Sequence, residues 1–211
     1  MAAVSWRAPA RAAPGALLAG AALIALSGLA AAAAPARDGT LVGFDCGYGR
    51  GRLGYENLLG GIRLPDEAQD GFTLDLRVGH AMRPDLVLCL HLGGWFGTIR
   101  SGDAADSWQP AAEDDWALSA IGGSVSWFPG AGPLFVRAGC GRALGSVTLA
   151  DVGGFQQIHR DAGLAARLGM GWELPLGSNF AVCPTLEWQA LDFGSGDQAS
   201  VASFTLGVTA Y

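Results

Sequence analysis

A two-residue alternation of apolar and polar side chains recurs along this chain after residue 40, and it constrains the fold more than any other feature. Residues 72–79 place apolar side chains at even positions and polar or small ones, including Asp75 and Arg77, at odd positions. Successive side chains of a β-strand point to opposite faces of the sheet, so the pattern predicts a strand with one apolar face. Residues 86–93 repeat it after a short Pro-containing turn at 81–85. The two segments therefore predict a β-hairpin.

The same alternation marks eight segments, and the connections between them are alternately short and long. Tight turns are expected at 81–85, 128–133 and 176–179, and long connections at 49–71, 97–115, 143–162 and 192–199. An even number of strands with short turns at one end and long loops at the other is typical of outer-membrane barrels. The prediction is an all-β fold, an eight-stranded antiparallel up-and-down transmembrane β-barrel with three short periplasmic turns and four longer extracellular loops.

The polar faces of these segments are rich in Gly, Ala and Ser as well as in charges, which fits side chains crowded into a narrow lumen. The expected lumenal charge network consists of Asp45, Asp75, Arg77, His91, Arg137, Arg167, Glu173, Glu187 and Gln189. Buried charges need partners. Matched heights on adjacent strands predict that Arg167 pairs with Glu187, that Arg137 pairs with Glu173, and that Arg77 reaches Asp45 or Asp75. Such a network would plug the lumen.

Aromatic residues cluster towards the two ends of the segments, which predicts a girdle at each membrane interface. The girdle residues are Tyr48, Trp95, Phe96, Trp116 and Phe193 near the loop end, and Trp127, Phe128, Phe135, Phe180 and Tyr211 near the turn end. The alternative is that these residues are scattered over the surface without a common role.

The N-terminal residues 1–36 have the pattern of a secretory signal peptide. Arg7 and Arg11 precede a long uncharged stretch, and Ala34 and Ala36 offer an A-x-A cleavage site. The mature protein would then be residues 37–211, an outer-membrane β-barrel domain. The alternative is an uncleaved anchor, because the uncharged stretch is long enough to span a bilayer.

The C-terminal strand, from Leu206 to Tyr211, contains Gly207 and ends on an aromatic residue. With the signal peptide and the eight segments, it resembles the small outer-membrane barrels of the OmpA transmembrane domain and OmpX type over the whole of residues 37–211. Tyr211 replaces the commoner Phe, and Thr209 stands where an apolar residue is typical. The resemblance implies an integral protein of the bacterial outer membrane with a structural or adhesin-like surface role, inserted by the outer-membrane insertion machinery.

Partners expected from this assignment are outer-membrane lipid, lipopolysaccharide and an unknown extracellular partner. A formal net charge of -6 argues against nucleic acid, which needs Lys and Arg along the phosphates. No cofactor is expected. One weak divalent-cation site is predicted at Asp103, Asp106, Glu113, Asp114 and Asp115, because clustered carboxylates are ligands for hard cations. A plain solvated acidic loop is the alternative.

Four cysteines lie on alternate strands, which are not neighbours in an eight-stranded meander. Cys46 and Cys140 are expected to face lipid, and Cys89 and Cys183 the lumen. Cysteines on opposite walls are too far apart for a disulfide, so free thiols are predicted.

Two other functions stay open at this point. A soluble lipocalin-like barrel would line its ligand site with Leu74, Leu76, Leu88 and Leu90 and turn its charges to solvent. However, all 13 basic residues are Arg, and a soluble surface would be expected to carry Lys too. An outer-membrane lipid-modifying enzyme would need a His beside a Ser on the lipid face. None of the three His fits that placement, so catalysis is not expected.

Overall fold

The computed structural model describes residues 37–54, 68–101, 112–150, 156–194 and 197–211. Eight long strands account for most of them: β1 Gly39–Gly54, β2 Gln69–Arg83, β3 Leu86–Ser101, β4 Ala112–Trp127, β5 Leu134–Ala150, β6 Gln156–Trp172, β7 Phe180–Asp192 and β8 Gln198–Ala210. A 3₁₀ turn, Pro129–Ala131, joins β4 to β5, and a two-residue strand, Leu174–Pro175, pairs with the start of β7. Among the described residues, no helix is long and apolar enough to cross a bilayer.

Each strand pairs antiparallel with the next one along the chain, and β1 also pairs with β8. That last pairing, which opposes Val42 to Ala210 and Gly51 to Val201, closes the sheet into a barrel. The prediction of a closed eight-stranded antiparallel barrel is confirmed. Closure leaves no sheet edge within the wall, as a structure surrounded by lipid requires.

Several strands run further into the loop end than the alternation indicated. Pairing between β5 and β6 continues to Ala150 and Gln156, so most of the long connection expected at 143–162 is strand. Pairing between β6 and β7 stops at Leu164 and Asp192. At the end of β5 the apolar residues Val147 and Leu149 fall at odd positions, opposite in phase to the lipid-facing stretch, so the pattern that marked the strand ends before the backbone pairing does. One side of the barrel wall therefore rises above the other.

Large apolar side chains cover the outside of the barrel. Leu90 is 72% exposed and Leu164 is 74% exposed, whereas the lumenal Asp45 and Arg137 are each 2% exposed. This polarity is the reverse of that of a soluble barrel and matches a wall that faces lipid. The lipocalin-like alternative is wrong on the same evidence, because Leu76, Leu88 and Leu90 point outwards and are exposed.

Candidate functional site in the barrel lumen

The lumen is filled by three layers of inward-facing side chains. At the turn end, the lower cluster consists of Leu41, Ala81, Val87, Cys89, Phe128 and Phe135, with Tyr211 packed against it. The middle layer is the charge network of Asp45, Asp75, Arg77, His91, Arg137, Arg167 and Glu187. At the loop end, the upper cluster consists of Trp95, Trp116, Leu118, Ala120, Ala143, Ala165, Leu191, Phe193, Ala199 and Val201. A polar layer is thus enclosed between two apolar ones.

Arg77 and Asp45 form the most regular ion pair of the charge network. They lie on β2 and β1, where the register opposes Arg77 to Gly43 and leaves the two side chains on the lumenal face. The Nε and Nη2 groups of Arg77 each donate to one carboxylate oxygen of Asp45 at 2.9 Å. This fork-to-fork geometry is the strong form of an arginine-carboxylate contact. A second carboxylate, that of Asp75, lies 3.5 Å from the Arg77 Nε.

Arg167 joins two carboxylates that come from different parts of the wall. Its Nη1 donates to Asp75 on β2 at 2.7 Å, and its Nη2 donates to Glu187 on β7 at 2.6 Å. Arg137 lies below, with Nη1 3.9 Å from Glu187 and Nε donating to Ser126 at 3.1 Å. Three guanidinium groups therefore face three carboxylates, and the formal charges of the layer balance. This balance offsets part of the cost of removing the charges from water.

A cavity of about 30 Å³ remains beside this network, lined by Asp45, Thr73, Asp75, Arg167 and Glu187 among others. Within the described part of the chain, Thr73 Oγ1 and Asp75 Oδ1 are buried and make no hydrogen bond. The space accommodates a water molecule and is too small for an organic ligand.

Arg37 closes the turn end of the lumen. Its Nε donates to Glu173 at 2.8 Å, and its Nη atoms donate to the carbonyls of Pro84, Ala131 and Gly132 at 2.8 to 3.2 Å. Pro84 lies in the β2–β3 turn, Ala131 and Gly132 lie in the β4–β5 turn, and Glu173 lies in the connection from β6 to β7, so Arg37 contacts all three connections at this end. The guanidinium carbon also lies 3.6 Å from the centre of the Phe128 ring, a cation-π contact. The Tyr211 hydroxyl donates to Glu173 as well.

Trp95 is the largest side chain of the upper cluster and is 1% exposed. Its indole N–H donates to the Gly49 carbonyl at 3.1 Å. A Cβ added at Gly71 would lie 2.5 Å from the indole ring, so only glycine leaves room for the ring there. The sequence did carry this signal, because glycines at 49, 71 and 97 fall on neighbouring strands near Trp95. Together they form the socket in which Trp95 packs.

The girdle prediction is wrong for five aromatic residues. Trp95, Trp116, Phe128, Phe135 and Phe193 are 1% to 7% exposed and fill the lumen. The prediction used distance from the strand end alone, whereas facing depends on which position of the alternation a residue occupies. Four others lie on the outer surface: Tyr48, Phe96, Trp127 and Phe180. Tyr211 is half-buried at the turn end.

The structure pairs some of the predicted lumenal charges and separates others. Arg167 and Glu187 are in contact, as their matched heights predicted. The pairing of Arg137 with Glu173 is wrong, because Glu173 lies beyond the end of β6 and binds Arg37 instead. Gln189 lines the small cavity, and His91 is buried in the same layer.

The predicted cation site falls largely outside the described residues. Asp103 and Asp106 belong to the undescribed part of the chain, as do the side chains of Glu113 and Asp114. Asp115 is exposed and accepts a hydrogen bond from Thr98 at 3.2 Å. Among the described residues, no three His, Cys, Asp or Glu side chains are grouped as metal ligands would be. The site stays a prediction.

All four cysteines are free thiols, and they face as predicted. Cys140 is exposed and Cys46 partly exposed on the outer wall, whereas Cys89 and Cys183 are buried in the lumen.

Comparisons with known proteins identify the fold. No protein-family model and no curated protein sequence matches the chain. The attachment invasion locus protein Ail of Yersinia pestis, solved with the heparin analogue sucrose octasulfate, superposes with a TM-score of 0.55 at 13% identity, covering 82% of this chain and 99% of Ail. Neisserial surface protein A superposes with a TM-score of 0.51 at 15% identity, covering 82% and 97%. The chain has the fold of the small eight-stranded outer-membrane β-barrels.

Proposed function

We propose that this protein is a non-conducting barrel of the bacterial outer membrane that acts through its extracellular surface, in a structural or adhesin-like role. The observation that supports the proposal is the set of buried side chains that line the lumen in three layers. The three layers leave a cavity of only about 30 Å³ at the level of the charges, and an eight-stranded barrel has an interior that side chains just fill. Solute passage is therefore disfavoured, and the function falls to the outer surface and the loops.

The cell-surface part of the proposal is supported by the shape of the wall and by its charge. The β5–β6 hairpin rises above the point where β6 and β7 separate, so it would project from the membrane. Acidic residues are concentrated where β3 is joined to β4: Asp103 and Asp106 lie between the two strands, and Glu113, Asp114 and Asp115 lie at the start of β4. An acidic surface attracts basic partners and repels sulfated glycans. We therefore expect a cationic partner, unlike the sulfated ligand of the Ail complex.

Conductance measurements in planar bilayers test the plugged lumen. The purified protein should insert without producing open-channel steps, while a large porin treated in the same way conducts. Stable conductance steps from correctly folded protein would contradict a sealed interior.

Surface interaction is tested with cells that do or do not express the protein. Expressing cells should bind beads coated with a basic peptide better than heparin-coated beads, and salt should weaken the binding because exposed charges are screened. Replacing Asp103, Asp106 and Glu113 with their amides should reduce binding, whereas replacing Asp85 in a periplasmic turn should not. Equal binding by expressing and non-expressing cells would oppose the adhesin-like role.

The proposed role is not catalytic. His91 is buried in the lumen. His80 is exposed on the outer face of β2 near the turn end, where Thr40 and Leu88 lie opposite it in the register and no Ser does. Lipid extracted from cells that overexpress the protein should keep its acyl composition. A loss or gain of acyl chains that depends on the protein would favour a lipid-modifying enzyme instead.

A further inference from the structure

A groove of about 950 Å³ crosses the outer wall near the loop end. Its floor is a row of side chains on five neighbouring strands, each directly opposite the next in the register: Cys140, Ala166, Ala190, Ser200 and Arg52. Neighbouring strands lie about 4.8 Å apart, so the row is about 19 Å long. Four of its five side chains are small, which makes this row a depression in an otherwise bulky surface.

Bulky apolar side chains form the sides of this groove. Leu164 stands one outward position above the row on β6, and Trp188 stands one position below it on β7. They are 74% and 46% exposed. The depression is therefore narrow and apolar along most of its length. Its shape and length suit an extended acyl chain.

One end of the groove is polar. Arg52 is exposed there, and no salt bridge joins it to a carboxylate in the described part of the chain. Arg50, by contrast, has Asp70 at 3.9 Å. Gln198 and Ser200 lie on the neighbouring β8 and supply an amide and a hydroxyl. Asp192 lies one outward position above Ala190 on β7, opposite Gln198, and supplies a carboxylate, one oxygen of which accepts the Gly194 N–H. This set combines a cation for a phosphate with both donors and acceptors for sugar hydroxyls.

We propose that this groove binds one lipopolysaccharide molecule, with an acyl chain along the small-residue row, a phosphate at Arg52, and sugar hydroxyls at Asp192 and Gln198. The inference rests on the proposed outer-membrane location, since the loop end faces the outer leaflet in barrels of this class. Surrounding acyl chains are as apolar as the groove, so shape and the head group must supply the selectivity. A phosphodiester lipid without a sugar would satisfy Arg52 but would supply no sugar hydroxyls to Asp192 and Gln198.

Native mass spectrometry of the detergent-folded protein with added lipid A tests this site. Ala190→Trp fills the row, and Ala138→Trp places the same side chain on the outer face of β5 outside the groove. Arg52→Gln removes the cation, and Arg50→Gln is its matched control. We expect at least tenfold weaker retention of lipid A by Ala190→Trp and Arg52→Gln, with both controls retaining it like the wild type. Dephosphorylated lipid A should bind the wild type as weakly as lipid A binds Arg52→Gln.

Equal retention by groove variants and controls would overturn the proposal, as would tighter binding of phosphatidylglycerol than of lipid A. Cys140 gives a second measurement in the unaltered protein. Bound lipid A should slow maleimide labelling of Cys140 but not of Cys46, which faces outwards on β1 away from the groove; equal rates at both would also count against the site. Heat-modifiable gel mobility in the outer-membrane fraction checks folding and location separately, so an unoccupied groove is distinguishable from a protein that is not in the outer membrane.

Discussion

Arginine supplies every positive charge in the lumen, and its planar guanidinium lets one side chain serve several partners. Arg77 binds both oxygens of Asp45, and Arg167 joins Asp75 to Glu187 across the barrel. Arg37 reaches three turns with one head group. A lysine ammonium is a point charge and could not hold such forked arrangements. All 13 basic residues are Arg, which fits a protein that buries several of its positive charges in a narrow lumen.

The Arg167 and Glu187 pair predicts a non-additive mutant cycle. Glu187→Gln should lower the free energy of unfolding by up to about 3 kcal/mol, because it leaves Arg167 with Asp75 alone in the lumen. In the Glu187→Gln protein, the further change Arg167→Gln should lower the free energy of unfolding by less than it does in the wild type. Urea titration in lipid vesicles measures both losses. Glu187→Gln combined with the exposed Arg83→Gln serves as control and should be additive. Additive losses in both cycles would mean that the lumenal contact contributes no coupling energy.

Tyr211 predicts a fall in stability at alkaline pH. Burial, followed by the nearby Glu173 charge, raises the pKa of this hydroxyl above its ordinary value of 10.0. In the unfolded chain the hydroxyl ionises above about pH 10, whereas in the folded protein it keeps its proton, so unfolding is increasingly favoured as the pH rises further. Tyr211→Phe should lower stability by about 1 to 2 kcal/mol at neutral pH, through loss of the bond to Glu173.

The same variant should then lose less stability than the wild type between about pH 10 and pH 12. The chain has no Lys, and its other Tyr and its Cys residues are the same in both proteins, so their titration cancels in the comparison. Chemical unfolding at a series of pH values measures both effects. If the free energy of unfolding falls equally with pH in the wild type and in Tyr211→Phe, the folded protein does not hold the Tyr211 hydroxyl in its neutral form.

At the scale of whole strands, the sequence was most informative where one face meets lipid. The alternation in β2 and β3 correctly gave the facing of Leu76, Leu90 and Arg77, because the contrast between a lipid face and a lumenal face is large. It failed at the loop end of β5, which continues to Ala150, because Val147 and Leu149 put the apolar residues at odd positions, opposite in phase to the lipid-facing stretch. The inward Trp95 was also missed, because a large aromatic residue near a strand end suits an interface and a lumen equally well.

The socket around Trp95 gives a prediction about strand packing. Gly97→Ala should lower the free energy of unfolding by about 1 to 3 kcal/mol, because a Cβ at this position would overlap the indole ring in a filled interior. Gly123→Ala on β4 is the control, since a Cβ there has no neighbour closer than 3.9 Å. Urea titration in lipid vesicles measures the free energy of unfolding of both variants. A Gly97→Ala protein as stable as Gly123→Ala would show that the upper cluster is loosely packed.

The described barrel turns large apolar side chains outwards to lipid and encloses a charged layer in the middle of its lumen, so contact with lipid does not account for the packing of the interior. Its interior is instead held by ion pairs in the middle and by apolar clusters at both ends. The positions of Asp45 and Arg77 within this arrangement were visible in the sequence. The role of Arg37 was not, because it precedes the first strand and acts on three turns that are distant from it in the sequence.

Arg37 should therefore matter more to the barrel than any exposed arginine. Arg37→Gln removes the cationic partner of the buried Glu173 and three further contacts to backbone carbonyls, and should lower the free energy of unfolding by on the order of 3 kcal/mol. Arg83→Gln, which breaks an exposed pair with Asp85, should cost less than about 1 kcal/mol. Unfolding in vesicles provides both values, and Arg37→Gln with Glu173→Gln should recover part of the loss.

The contacts of Arg37 also give a prediction about where the signal peptide is cleaved. If signal peptidase cuts after Ala36, as the A-x-A pattern predicts, Arg37 becomes the first residue and stays anchored to the turns. Cleavage further downstream would remove Arg37 and leave Glu173 as a buried carboxylate without its cationic partner. Mass spectrometry of the intact protein from the outer-membrane fraction should thus give an N-terminus at Arg37. A mature chain beginning at Asp38 or later, with the stability of the chain that retains Arg37, would show that the three turns are held together without this side chain.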